Sequence, residues 1–244
     1  VNKKSLSIER TVKSWEPMGL ALLSYLDGNK DEVIINKSIF GSFEVPVSIY
    51  FRDRDALPEA ENFALSLCQG SILDIGAGSG CHSLILQEEG ADVTSMDISL
   101  LNIEVMKQQG LKKVIRANIF HYTQQRFDTL LMLMNGIGLT EDLNGLERFL
   151  RHAHTLIRPG GRLIFDSTDM SVEIPNAANK NKEEEYFGTV KYRMQWRNIE
   201  GPPFKWLYVA APPLRMICKK TGWEMQIVFE DNDGHFLVML HESA

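Results

Sequence analysis

The sequence predicts an α/β fold, a mostly parallel seven-stranded sheet with helices on both faces and an antiparallel hairpin at the C-terminal end. Three observations predict it. The apolar run Ser71-Ile72-Leu73-Asp74-Ile75 ends in glycines at 76, 78 and 80, a strand turning sharply into a helix. Strand-like runs at 71–75, 92–97, 112–117, 127–134 and 161–167 alternate with helical segments at 80–89, 99–109 and 142–157. Such alternation implies crossover connections and parallel strands. Finally, Leu214 to Thr221 reads as a helix stopped by Gly222, and the strand-like runs 223–229 and 236–241 flank Asp231-Asn232-Asp233-Gly234. That tetrapeptide is a hairpin turn signal.

The chain divides into four parts. Residues 1–60 form a lid ahead of the core. There, Trp15, Met18, Leu22, Leu23 and Leu26 recur at helical spacing, and Asp27-Gly28-Asn29 ends the helix. Val33 to Asn36 and Phe43 to Phe51 read as two strands, the second an edge strand because of Pro46. Residues 61–168 are the core, in which Arg158-Pro159-Gly160-Gly161 is expected to end the third helix and open strand five. Residues 169–213 are expected to form a strand-rich insert that covers a ligand pocket. It starts with the polar stretch Asn176 to Glu185, expected to be a solvated loop, and continues into an alternation of Val190, Tyr192, Met194 and Trp196. Residues 214–244 complete the sheet.

Composition narrows the function classes. With 244 residues the chain suits one domain with elaborations, and a 44% hydrophobic content suits a globular core. No apolar run approaches the ~18 residues of a membrane span, and the polar start through Lys13 carries no apolar secretory segment. Cys68, Cys81 and Cys218 lack metal or disulfide spacing. No metal site and a cytoplasmic location are therefore expected. A net charge of -6 argues against a nucleic-acid partner, and Lys112, Lys113 and Arg116 read as solvated charges at a strand entry. Nothing sets the oligomeric state, so monomer and homodimer both stand.

The glycine turn carries the chemistry. Glycine tolerates left-handed backbone and lets a ligand approach closely. A following helix offers N–H groups and the positive end of its dipole. Asp97, at the end of the next strand and about the usual ~20 residues on, can accept two hydrogen bonds from a ribose diol. Dinucleotide enzymes favour G-x-G-x-x-G. Here the order is G-x-G-x-G, with Cys81 where the third dinucleotide glycine belongs.

The pattern Leu73-Asp74-Ile75-Gly76-x-Gly78-x-Gly80 resembles motif I of the Rossmann-like (class I) S-adenosylmethionine-dependent methyltransferases, and the terminal hairpin also fits that fold. The resemblance implies S-adenosylmethionine as cofactor, with S-adenosylhomocysteine as product. It implies that Asp74 organises the methionine end, that Gly76, Ala77, Gly78 and Gly80 pass beneath the donor, and that Asp97 holds the ribose, followed by Ile98. Asn118 would then meet the adenine edge and Ile119 its ring, while Asn135 and Gly136 would border the sulfonium. The family's Asn/Asp-Pro-Pro-Tyr clamp for planar amides and amines is replaced by Asn135-Gly136-Ile137-Gly138. That leaves a small-molecule acceptor as the expected partner.

For the acceptor side, Tyr50, Arg52, Ile137 and Trp196 are the candidate contacts. His82 and Ser83, in the first turn after the glycines, read equally as donor contacts or packing residues. Methyl transfer from a sulfonium needs alignment and exclusion of water, and a base only for an acceptor of high pKa. Asp166, Asp169, Tyr50 and His154 are bases in name only, and no catalytic residue is assigned. The competing readings are an NAD(P)-dependent oxidoreductase and a non-catalytic S-adenosylmethionine-binding regulatory protein.

Overall fold

The computed structural model of the protein describes residues 12–173 and 186–243. Its central sheet has seven strands in the order β11-β12-β7-β6-β3-β4-β5. They are β3 (Ser71–Ile75), β4 (Asp92–Asp97), β5 (Val114–Arg116), β6 (Phe127–Met132), β7 (Ile157–Thr168), β11 (Trp223–Glu230) and β12 (His235–Glu242). β3 pairs in parallel with β4 and β6, β4 with β5, and β6 with β7. β12 then pairs antiparallel with both β7 and β11. The winding reverses between β3 and β6, which is where open sheets of this kind place a ligand.

Side-chain parity separates two cores. Leu73, Ile75, Leu130, Met132, Leu163 and Phe165 point to one face, where α5 (Leu143–Ala153) and α6 (Ala211–Thr221) supply Phe149, Leu150 and Leu214. Ile72, Leu131, Ile164 and Leu237 point to the other, against α2 (Glu59–Ser66) and α3 (Cys81–Glu88). α4 (Leu100–Gln108) adds Ile103 and Met106 to a smaller cluster with Leu111. Period-two alternation on strands covered on both sides explains the near-continuous apolar runs. Full burial of a side chain such as Phe127, Phe149 or Phe165 contributes about 1.5–3 kcal/mol.

The lid and insert form a second sheet. α1 (Glu16–Leu26) leads into β1 (Val33–Ser38) and β2 (Gly41–Pro46), and the insert adds β8 (Thr189–Trp196), β9 (Ile199–Glu200) and β10 (Phe204–Leu207). The order is β10-β8-β1-β2, with β9 on β8, and the pairs are antiparallel. Thus β8, which the alternation at 190–196 predicts, pairs with the N-terminal strand β1, and β2 with Pro46 is an edge.

Several boundaries differ from expectation. The second lid strand stops at Pro46, and Val47–Tyr50 is a 3-10 turn. The third core helix ends at Ala153, and β7 already runs from Ile157 through Pro159 and Gly160. The Phe127 N–H bonds the Leu156 carbonyl at 2.8 Å, so the chain aligns with β6 before the proline, and the register shifts between Phe127 and Thr129. β6 ends at Met132 because Met134 and Asn135 turn left-handed, at φ 60° and 54°. The helix α2 has no counterpart in the periodicity reading. The stretch Asn176 to Glu185 lies outside the described residues.

Candidate active site

The glycine turn is built as its composition requires. Gly76, Gly78 and Gly80 sit at φ 72°, 60° and 86°, where a side chain would be strained. The N–H groups of Gly76 and Ala77 both bond the Met96 carbonyl, at 2.9 and 3.0 Å, and that of Gly80 bonds Ala77 at 2.7 Å. Gly78 donates to Asp97 Oδ2 at 3.0 Å. The turn is therefore tied to β4, with these N–H groups engaged by protein acceptors.

Asp97 is buried and also receives the Ser99 N–H at 2.8 Å and the Asn102 side-chain amide at 3.1 Å. Burial pushes its carboxyl above the usual range, against the opposing hydrogen bonds. Oδ1 accepts the Ser99 N–H, and the Ile98 N–H also faces the carboxylate, whose two oxygens together offer about four acceptor sites. Ile98 beside it is exposed. Asp74, by its parity on β3, faces α3, where the Ser83 hydroxyl donates to it at 2.7 Å. Burial also raises Asp74, with the charge of Asp97 adding to the effect and His82 opposing it.

Other elements converge on this turn. A Cβ at Gly78 would lie 3.4 Å from Met18 of α1, and one at Gly76 would lie 3.3 Å from Leu139. The Ser79 hydroxyl bonds the Tyr50 carbonyl, and the Cys81 thiol bonds the Arg52 carbonyl at 3.0 Å. The lid is thereby fastened to the start of α3. Leu139 belongs to the 3-10 turn Gly136–Thr140 that follows β6. The indole of Trp206, on β10, packs against Gly138 of the same turn. Asn135 is held twice: its N–H donates to both Asp166 oxygens, at 3.0 and 2.9 Å, and its Oδ1 accepts from the Thr168 hydroxyl at 3.0 Å.

The remaining candidates separate. The Asn118 side chain caps the Phe120 N–H at 3.0 Å, and Ile119 packs into the core. Ile137 is wholly buried in the α5 face of the core, which removes it from the acceptor surface. Trp196 is buried in the lid cluster, its indole N–H bonded to Glu32 at 2.7 Å, so it is no acceptor wall in this structure. Trp206 is the insert indole that packs on the turn after β6. Arg52, a candidate acceptor contact, pairs with Glu61 at 2.6 and 2.9 Å. Glu61 also meets His82 Nε2 at 2.6 Å. Burial works to raise Glu61, but His82 and Arg52 together hold it below the usual range.

Each of the named bases already has a partner in the protein or is held neutral. Burial pushes the Tyr50 phenol up to about 12, so it stays neutral at physiological pH. His154 stacks on Trp223 at 4.4 Å and bonds Glu242 at 2.7 Å, and its other ring nitrogen meets the Thr221 carbonyl at 2.8 Å. Asp169 accepts from the Ser171 N–H and hydroxyl. Burial also pushes Cys81 up to about 11, and Cys68 and Cys218 to about 12. These thiols stay protonated, as buried structural cysteines do.

Sequence reasoning missed Glu61, His235 and the placement of Trp206. Phe204, Trp206 and Tyr208 alternate, and that period of two was a readable strand signal. Pro58 followed by Glu59 and Glu61 was a readable helix start. His235 had no local signal, because its partner is far away in sequence.

Residues 73–165 match the family model described as a methyltransferase domain. A SAM-dependent methyltransferase from Bacteroides fragilis, solved in complex with S-adenosyl-L-homocysteine, is 35% identical. It aligns over 93% of this chain and 95% of its own, with a TM-score of 0.85. This chain belongs to the S-adenosylmethionine-dependent methyltransferases. Curated relatives in the family match over shorter stretches. The ubiquinone biosynthesis O-methyltransferase of Coxiella burnetii (strain Dugway 5J108-111) is 31% identical over 103 residues, 39% of this chain and 42% of that protein. The malonyl-[acyl-carrier protein] O-methyltransferase of Pseudescherichia vulneris is 31% identical over 98 residues, 39% of this chain and 38% of that protein. The match thus spans about two-fifths of these relatives' length. Among the described residues no helix is long and apolar enough to cross a membrane.

The methyltransferase donor set fits S-adenosylmethionine chemically. A phosphate ligand would call on turn N–H groups that are here bonded to Met96, Ala77 and Asp97. A carboxylate can accept both hydroxyls of a ribose diol, and Asp97 is such a group at a strand end.

Proposed function

We propose that this protein transfers the methyl group of S-adenosylmethionine to a small-molecule acceptor. The observation that carries the reading is the buried Asp97 carboxylate at the strand end, locked to the glycine turn through Gly78. Asp97 would hold the ribose hydroxyls, and the glycine turn would lie beneath the donor. Asp74, through Ser83, would fix the start of α3 at the methionine end. Ile98 and Asn118 would flank the adenine, while Ile119 anchors that segment in the core. Asn135 and Gly136 would border the reacting centre. The bound cofactor supplies an already activated methyl group, so the chain's own task is alignment and exclusion of water.

The acceptor would bind beside the turn after β6, with Trp206, packed on Gly138, as its aromatic boundary and the lid residue Tyr50 on the α1 side. With Arg52 committed to Glu61, no charged clamp for an acceptor carboxylate is assigned. The names of the two curated relatives place oxygen acceptors first among the assays. A reducing compartment such as the cytoplasm suits the free thiols.

Thermal unfolding with S-adenosylmethionine, S-adenosylhomocysteine or NAD tests this reading. A ligand that binds only the native state raises apparent stability. Stabilisation by the first two alone is expected, and stabilisation by NAD without a response to S-adenosylhomocysteine would overturn the reading. Labelled donor with a panel of phenols, carboxylic acids and amines then identifies the acceptor atom.

A further inference from the structure

The turn after β6 is held in a costly conformation by groups distant in sequence. Met134 and Asn135 are consecutive non-glycine residues at positive φ. Left-handed backbone disfavours L-residues and persists where surrounding contacts over-determine it. The contact here is Asp166, whose two oxygens receive the Asn135 N–H. Asp166 is in turn met by His235, with Nε2 2.8 Å from Oδ2. His235 opens β12 and stands opposite Thr168, whose hydroxyl holds the Asn135 side chain. Both supports of Asn135 therefore come from the end of β7, beside β12.

We propose that His235 is a positioning residue: it holds Asp166 in the orientation that captures the Asn135 N–H, so that the C-terminal hairpin shapes the turn bordering the donor. This rests on the donor-site reading above, because Leu139 of that turn packs over Gly76.

The imidazole is not a base in this arrangement. Its Nδ1 lies 3.7 Å from Asp231, so carboxylates face both ring nitrogens. The hydrogen bond to Asp166 raises the His235 pKa above the usual imidazole range; burial opposes this, and the charges of Asp166, Asp231 and Glu61 reinforce it. Those groups come from β7, the hairpin turn and α2. The charged form strengthens the hold on Asp166, and that reinforcement is lost as pH rises through the raised value.

Three measurements test the assignment. In the wild-type protein without ligand, the Asn135 amide resonance should shift with the His235 ring resonances, in one transition above pH 6.5. An Asn135 amide that stays flat while His235 titrates overturns the proposal, and no variant is needed to see it. In His235→Ala, hydrogen exchange of the 133–141 segment should accelerate about tenfold relative to the α5 segment, and His235→Gln should restore most of the protection. Equal acceleration in both segments means that His235 only stabilises the fold, which also overturns it. Calorimetry with S-adenosylhomocysteine should show about tenfold weaker binding in His235→Ala and near-wild-type binding in His235→Gln. Wild-type protein that fails to bind S-adenosylhomocysteine defeats the donor-site reading instead, while the ligand-free measurements still decide the role of His235.

Discussion

The five-membered ring of Trp206 occupies the space where a side chain at Gly138 would stand. One residue belongs to the insert and the other to the turn after β6. Glycine at 138 is therefore required by close approach, since its φ is not among the positive values. A Gly138→Ala substitution must displace the indole. Overpacking of this kind costs about 1–3 kcal/mol. The expected outcome is a lower melting temperature together with a red-shifted Trp206 contribution to the emission, measured against Trp206→Phe. An unchanged spectrum would mean that the insert does not close on this turn in solution.

Asp97→Asn should weaken S-adenosylhomocysteine binding. The substitution keeps the size of the side chain but removes its charge and one acceptor. It also sets an amide N–H₂ against the Ser99 or Gly78 N–H. Hydrogen bonds to charged groups contribute about 1.5–3 kcal/mol, so a loss of roughly 10- to 100-fold in affinity is expected by calorimetry. Equal affinity would place the ribose elsewhere.

Asp74→Asn should stabilise the ligand-free protein. Burial raises this carboxyl in the folded state, so the native protein holds the proton to higher pH than the unfolded chain does. That contribution to stability is present below the usual carboxylate pKa and is lost as pH rises through the raised value. At pH 7, above the unfolded carboxyl pKa, the wild type carries the cost of this buried titratable group and the neutral variant does not. A gain of roughly 1 kcal/mol, or about 2–4 °C in melting temperature, is expected at pH 7. It should shrink as acid protonates the wild type. A gain that persists unchanged into acid would show that charge burial is not its source.

Glu61→Gln should do the reverse. Despite its burial, Glu61 is held below the usual carboxyl range by His82 and Arg52. Its contribution is present above the unfolded pKa and lost as pH falls through the lower folded value. Breaking a buried pair by removing one partner costs about 3–5 kcal/mol. Thermal scans should show the variant destabilised at pH 7, with the difference from wild type closing in acid. Pulse proteolysis should find the Arg52 segment cut earlier, because Arg52 and His82 lose their shared acceptor.

Much of the donor half was readable before any tertiary contact was known. The glycines at 76, 78 and 80 and the carboxylates at 74 and 97 lie within 24 residues of chain, and strand–turn–strand geometry brings them together locally. The acceptor half was harder to read. Ile137 and Trp196 were reasonable candidates by position and aromaticity, yet one packs under α5 and the other against Glu32. Which aromatic of the insert meets the turn depends on the register of β8 and β10, with Phe204 opposite Tyr192 and Trp206 opposite Val190. A one-residue slip in that register would present the other face.

By itself, then, the sequence determined the alternation of strands and helices, the left-handed glycine turn, the acidic strand ends and the closing hairpin. These are properties of local backbone preference and hydrophobic period. The tertiary structure alone decided that Glu61 binds Arg52 and His82, that Trp206 rather than Trp196 faces the turn, and that His235 reaches Asp166. Each of those contacts joins separate elements, so it depends on how the elements pack and pair rather than on any neighbouring residue.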